Sequence, residues 1–321
     1  MSFLSWPSSH SWQPTMSSDT TTLSYWLNWR FLFCALWILG SMALAFFLIF
    51  KYEGFNKSRS NSGENEGEEA GLLHEDEAWN TCLEGIHPSW LLIYRVICFI
   101  VLLALIIASV AADGGAIFYF YTQWTFTLVT LYFGMGSYFS LYGCSLEQNK
   151  FGSNTLNLDA EVGIPTHHRK IASLWGYVFQ IIFQTCAGAV VLTDSVFWFI
   201  LYPLLTSKDY SVDFLIFCMH SLNALFLLGD TSLNCMRFPM FRFAYFVLWT
   251  ATFVIFQWII HVCVSLWWPY PFLDLSSSYA PLWYLAVALM HFPCYGVFVL
   301  IVRVKQLWLS RSFPDSSRFE R

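Results

Sequence analysis

Four ionisable side chains, Asp194, His220, His261 and His291, fall inside long apolar runs of the sequence, with Thr127 and Asp113 near the ends of such runs. A neutral imidazole can take a proton from a hydroxyl or a water near pH 7. Three imidazoles and a water would make a zinc site, for which His220, His261 and His291 are the candidates. Ionisable groups are costly in a bilayer, so they usually face the bundle interior or a wet cavity and mark function. Each also has a plainer reading, an interhelical hydrogen bond worth only ~0.6–2 kcal/mol. The zinc reading lacks a His-x-x-x-His pair on one helix, as zinc-dependent seven-helix membrane hydrolases carry. The close pair His167-His168 stands beside Arg169-Lys170, where solvation accounts for it. The favoured readings therefore need no cofactor.

The elements that position these residues are membrane helices. Of the 321 residues, 57% are hydrophobic, 20% aromatic and only 12% charged. A soluble domain carries roughly 25% charged residues, about twice as many. A bilayer core of ~30 Å needs ~20 apolar residues in helix. Seven runs meet that need, at about 31–50, 92–112, 123–143, 172–201, 213–229, 243–266 and 282–302. Asp194 interrupts the fourth, which is long enough either to tilt or to break. The expected fold class is all-α, a polytopic membrane helix bundle of about seven spans. Runs this long exclude a β-barrel, whose strands alternate over ~10 residues. A net charge of −5 without a basic patch argues against a nucleic-acid partner. Most of the nine cysteines lie in apolar runs, with no zinc-finger spacing and no sign of a disulfide framework.

Charge sets the orientation. Of the sixteen Lys and Arg residues, Arg30 and Lys208 fall on the side that holds the N-terminus, and the other fourteen fall on the opposite side. The positive-inside rule then places the N-terminus outside the cytosol and the C-terminus within it. Residues 1–30 read as a tail, 51–90 as an acidic, disordered cytosolic loop and 304–321 as a basic cytosolic tail. In this orientation Thr127 lies ~6 Å and His220 roughly 10 Å inside the non-cytosolic face. His261, His291 and Asp194 share that half, whereas Asp230 lies at the cytosolic end. The cytosolic loop also carries Glu68-Glu69-Ala70-Gly71-Leu72-Leu73, the pattern of an acidic dileucine signal read by sorting adaptors through Glu68, Leu72 and Leu73. A pattern this short also arises by chance in acidic loops. The chain is expected in the endomembrane system or the plasma membrane, and its sequence does not choose between them.

Several segments carry a resemblance. Cys218-Met219-His220-Ser221-Leu222-Asn223, followed by Leu227-Leu228-Gly229-Asp230, resembles the fifth-helix motif of the rolling-stone-like membrane proteins, which include many plant transmembrane proteins. More distantly the chain resembles the androgen-induced protein family (FAR-17a-like) of intramembrane threonine hydrolases. Three pieces match in order: Trp124-Thr125-Phe126-Thr127, Phe197-Trp198-Phe199-Ile200-Leu201-Tyr202 and Trp268-Pro269-Tyr270-Pro271-Phe272-Leu273-Asp274. The similarity covers residues 92–302, so 91–303 form a six-helix core to which the first helix is added. The resemblance implies Thr127 as nucleophile and His220 as general base, although Thr122, Thr125 and Thr130 stand close by. Ser221 replaces a Thr of the hydrolases and Asn223 is extra. Asp194 or Asn223 would orient the imidazole, and the sequence does not select between them.

Two readings of function follow. The rolling-stone resemblance implies a non-enzymatic protein of adhesion, fusion or scaffolding. The hydrolase resemblance implies cleavage of lipid esters inside the bilayer, with an acyl lipid entering laterally. In that chemistry an adjacent base must remove the proton of a threonine, which is otherwise a weak nucleophile.

Overall fold

A computed structural model of the chain describes residues 18–54, 73–156, 170–203 and 213–318. Among these residues the structure is helical, with three isolated β-bridges and no strand. The long elements are α1 (Trp29–Ile49), α2 (Pro88–Asp113), α3 (Tyr121–Leu156) and α4 (Leu174–Val196). They are followed by α5 (Phe214–Met219), α6 (Leu222–Leu233), α7 (Phe243–Cys263) and α8 (Ala280–Ser312). Six stretches are long and apolar enough to cross a membrane: Trp29–Glu53, Pro88–Tyr119, Leu174–Leu201, Phe214–Leu233, Met240–Cys263 and Ala280–Ser312. The chain is thus an integral, multi-pass helical membrane protein.

Helix α3 is long but less apolar, and its position explains why. It packs between α2 and α4 in the interior, where close approach needs small residues more than greasy ones. A Cβ at Gly134 would lie 3.1 Å from the Phe99 ring, and one at Gly136 would lie 3.0 Å from Arg95 Cδ. By contrast α1 packs on α7 and α8 and turns Leu32, Leu36, Phe46 and Phe47 outward. Its sequence is apolar all round because most of its surface faces lipid.

Helix α4 is the hub, touching α3, α6, α7 and α8. One core on its flank stacks Tyr132 on Phe179 at 5.0 Å, with Phe126, Phe133 and Phe183 around them. A second joins Phe246, Phe253, Tyr284 and Tyr295 from α7 and α8. Gly188 lets α7 approach, since a Cβ there would overlap the buried Phe246 ring. Gly188→Leu is expected to destabilise the bundle by about 1–3 kcal/mol through overpacking. A wild-type melting curve for this variant in detergent would mean that α4 and α7 do not meet there.

Charged side chains gather at one end. Arg95 binds Asp230, Arg237 Nε lies 3.3 Å from Glu77, and Arg242 Nε lies 2.6 Å from Glu53. Lys305 Nζ donates to the Thr231 carbonyl at 2.6 Å, capping the end of α6. At the opposite end, Tyr25 donates to Asp274 at 2.8 Å and Arg30 to the Ser276 carbonyl at 2.8 Å. Helix α3 contributes to both: the amide of Tyr121 donates to the Tyr270 hydroxyl at 3.1 Å, and Ser140 accepts from Arg95 at 2.9 Å.

Arg95, within the second apolar run, is a fully buried residue of α2. Two expectations from the sequence change here. Residues 73–87, expected in a disordered loop, pack against the bundle, burying Leu73, Trp79, Thr81 and Cys82. They are held by the Leu73 carbonyl accepting from Ala172 at 2.9 Å and the Cys82 amide donating to Leu233 at 2.8 Å. The end of the N-terminal tail is likewise seated, with Tyr25 and Trp26 buried. Apolar side chains interspersed in these polar stretches supply the packing that composition alone concealed.

Candidate functional site

The fourth run is continuous and widens into a π-helical turn at Phe197–Leu201; it is the fifth that breaks. The break falls at His220 and Ser221, with backbone angles of φ −104°, ψ 15° and φ −140°, ψ −44°. Ser221 and Asn223 are the local cause, because short polar side chains compete with the helix for backbone hydrogen bonds. Irregular backbone at membrane depth is tolerated only where protein buries it or where it lines a cavity. Here protein buries it: the Trp198 indole donates to the His220 carbonyl at 2.8 Å, and the Phe197 ring stacks on the imidazole at 3.7 Å. The π turn swings these two aromatics over the break.

His220 Nδ1 lies 3.6 Å from Asp194 Oδ1, just beyond a direct hydrogen bond. Asn223 Nδ2 approaches the same oxygen at 3.4 Å, while its own oxygen accepts from the Ala224 amide at 2.7 Å. Asp194 is thus the group that faces the imidazole, and Asn223 attends Asp194. His220 Nδ1, Asp194 Oδ2 and Thr127 Oγ1 are buried without a hydrogen-bond partner among the described residues. Buried polar atoms are usually satisfied, so three orphans on neighbouring elements call for a functional explanation.

Thr127 is on the face of α3 turned toward this break. Gln123, one turn earlier on that face, meets Met219 Sδ at 2.6 Å, next to His220. The Thr127 hydroxyl is not hydrogen-bonded to His220. Of the nearby threonines, Thr125 accepts from Thr193 at 3.4 Å, and Thr130 donates to its own helix at 2.9 Å.

The three histidines are not brought together, and the described residues contain no group of three or more potential metal ligands. His261 Nδ1 meets the Gln257 carbonyl at 2.7 Å, and its ring stacks on Trp268 at 3.8 Å. His291 meets the Val287 carbonyl at 2.8 Å and Thr250 Oγ1 at 2.9 Å. The last contact was invisible in sequence, because Thr250 is one of several threonines in apolar helices. Asp113 ends α2 and is exposed.

In the Trp268–Asp274 loop, Trp268, Tyr270 and Leu273 are buried. Its Trp268 indole donates to the Tyr25 hydroxyl at 3.0 Å. Burial, followed by Asp274, pushes the Tyr25 phenol well above its ordinary range. All cysteines but Cys263 are buried, and burial pushes the Cys235 thiol up to about 12, so it stays protonated. Glu68 and Leu72 of the dileucine pattern lie outside the described residues, as do His167 and His168. Leu73 is 1% exposed, so in this conformation it cannot be offered to an adaptor.

Fold and site together define a multi-pass membrane bundle with a buried Asp–His–Asn centre at a broken helix. No protein-family model, curated protein or solved structure matches the chain.

Proposed function

We propose that the chain crosses the bilayer seven times, with α5 and α6 forming one broken span and the charged end of the bundle in the cytosol. Helix α3 is the seventh span, supported by its contacts at both ends of the bundle. In this membrane frame the Asp194–His220 centre is an intramembrane site for lipid-ester hydrolysis, as the likeness to the androgen-induced proteins implies. The observation that carries this reading is the buried break, which brings an imidazole to a carboxylate, each with an unsatisfied polar atom, while the Thr127 hydroxyl is unsatisfied too. His220 takes the proton of Thr127 as its oxygen attacks the ester carbonyl, then returns it to the departing alcohol. A water activated by His220 then cleaves the acyl-threonine, releasing the fatty acid and restoring the hydroxyl. Asp194 stabilises the imidazolium formed between those steps. An acyl-lipid substrate enters from the bilayer.

Purified protein in nanodiscs is expected to turn over members of a lipid-ester panel. His220→Ala should lower that turnover about 100-fold, the smaller end of a general base's contribution. Equal inertness of wild type and variant across the panel sinks the hydrolase reading.

A second reading is a non-catalytic protein of adhesion, fusion or scaffolding, of the rolling-stone kind. It is favoured by the Thr127 hydroxyl, which makes no hydrogen bond to His220. On this reading Thr127 and His220 variants keep full cell-level function.

A further inference from the structure

Threonines within a helix normally turn their hydroxyl back to the carbonyl four residues earlier. Thr130, Thr185, Thr193, Thr231 and Thr252 do so here, at 2.7–2.9 Å. Thr250 reaches its own carbonyl partner, on Phe246, only at 3.3 Å. It meets His291 Nε2 at 2.9 Å and the Tyr121 hydroxyl at 2.8 Å, both closer. Three helices, α3, α7 and α8, thus converge on one hydroxyl.

The direction of these bonds follows from their partners. A carbonyl can only accept, so the 2.8 Å contact with Val287 places a proton on His291 Nδ1. The ring is 4% exposed and lies 4.4 Å from the Phe246 ring. Its nitrogens meet a carbonyl and a hydroxyl, neither of which can neutralise a cation, so the imidazole is neutral. Nε2 therefore offers a lone pair, Thr250 donates to it, and Tyr121 donates to the threonine oxygen. A hydroxyl oriented onto a neutral imidazole whose other nitrogen is anchored is the arrangement of an activated nucleophile.

We propose that Thr250 and His291 form a second nucleophile–base pair, reactive toward the acyl ester of a lipid, with Tyr121 as its third member. The substrate class rests on the hydrolase reading above; the pair itself does not. Thr250 Oγ1 bonds to the ester carbonyl carbon as its proton passes to His291 Nε2. The developing oxyanion takes the hydrogen bond of Tyr121, whose hydroxyl already lies against the attacking oxygen. The carbonyl–alkoxy bond then breaks, the alcohol leaves with the proton from Nε2, and water hydrolyses the acyl-threonine by the same route.

The full chain in nanodiscs, treated with a long-chain β-lactone and mapped by peptide mass spectrometry, tests this. Ring opening should leave an acyl adduct on Thr250. Thr250→Val should abolish it and Thr250→Ser should retain it. His291→Gln, which can still accept the hydrogen bond but cannot act as a base, should slow labelling about 100-fold. Melting curves show whether each variant is folded. Unlabelled Thr250 in the wild-type protein, or labelling equally fast in folded His291→Gln, overturns the proposal. An adduct confined to Thr127 and lost in His220→Ala would overturn it while upholding the hydrolase reading. No adduct, with no turnover of the ester panel, would end both.

Discussion

Arg95→Ala is expected to cost the bundle about 3–5 kcal/mol, the usual penalty for leaving one partner of a buried ion pair alone. Both partners are fully buried. Arg95 Nε donates to Asp230 Oδ1 at 2.7 Å, and Nη1 reaches the Ala78 carbonyl at 2.8 Å and Ser140 Oγ at 2.9 Å. Asp230 in turn accepts from Tyr132 and, at 2.7 Å, from Asn234. Removing the guanidinium strands a carboxylate beneath the Tyr132–Phe179 stack, where water cannot replace it. Arg95→Lys should fare little better, since one ammonium cannot span the donors of a planar fork. The pair's own net value is a separate quantity, because desolvation offsets much of its attraction. Accordingly Arg95→Met combined with Asp230→Leu should melt well above Arg95→Ala. A single variant that melts like wild type would show that the carboxylate finds another partner or is not buried.

The same pair shows where sequence reasoning succeeds and fails. Hydropathy finds a helix wherever lipid faces most of the surface, as with α1 and α2. It also places the ends of α7 and α8 within a turn or so, apart from the extension of α8 to Ser312. Charge counting assigns Arg95 to the cytosolic side but cannot tell that it is buried, because it sees sign and position, not partners. The partner, Asp230, is 135 residues away, and only packing brings them together. Residues 73–87 fail for a related reason: their acidic composition suggests solvation, yet Glu77 is paired with Arg237 and Trp79 covers Gly143.

Within the site, Asp194, His220 and Asn223 were legible because each is a polar interruption of an apolar run. Their juxtaposition was not, since it depends on the π turn after α4 and the break before α6. Ser221 and Asn223 gave a local hint of that break. Thr250 gave none, because a threonine in a helix is unremarkable until a second helix delivers His291 to it. A direct hydroxyl–imidazole contact joins α7 to α8, at Thr250 and His291, and residue type alone could not have picked that threonine out.

The first helix provides the second large effect. Arg242, fully buried at the start of α7, donates through Nε to Glu53 beyond the end of α1 and through Nη1 to Gln180 on α4. Tyr245 donates to the other oxygen of Glu53. This cluster latches the C-terminal end of α1 to the core, as Arg30 does at the other end through the Ser276 carbonyl. Between them the contacts of α1 with α7 and α8 are largely apolar, no stronger in principle than contacts with lipid. The exposures of the two partners set which loss hurts more. Glu53 is 21% exposed and can turn toward water when Arg242 is removed, so Arg242→Ala should cost about 3 kcal/mol, the lower end for a broken pair. Glu53→Ala leaves the buried guanidinium without its carboxylate and should cost as much or more, although alanine there disturbs less packing. Melting curves of the two variants side by side measure this order, and protease sensitivity at the end of α1 reports whether the helix detaches. If Arg242→Ala proves clearly the worse of the two, the cation matters here for its stacking on Tyr177 and Phe241 more than for its charge.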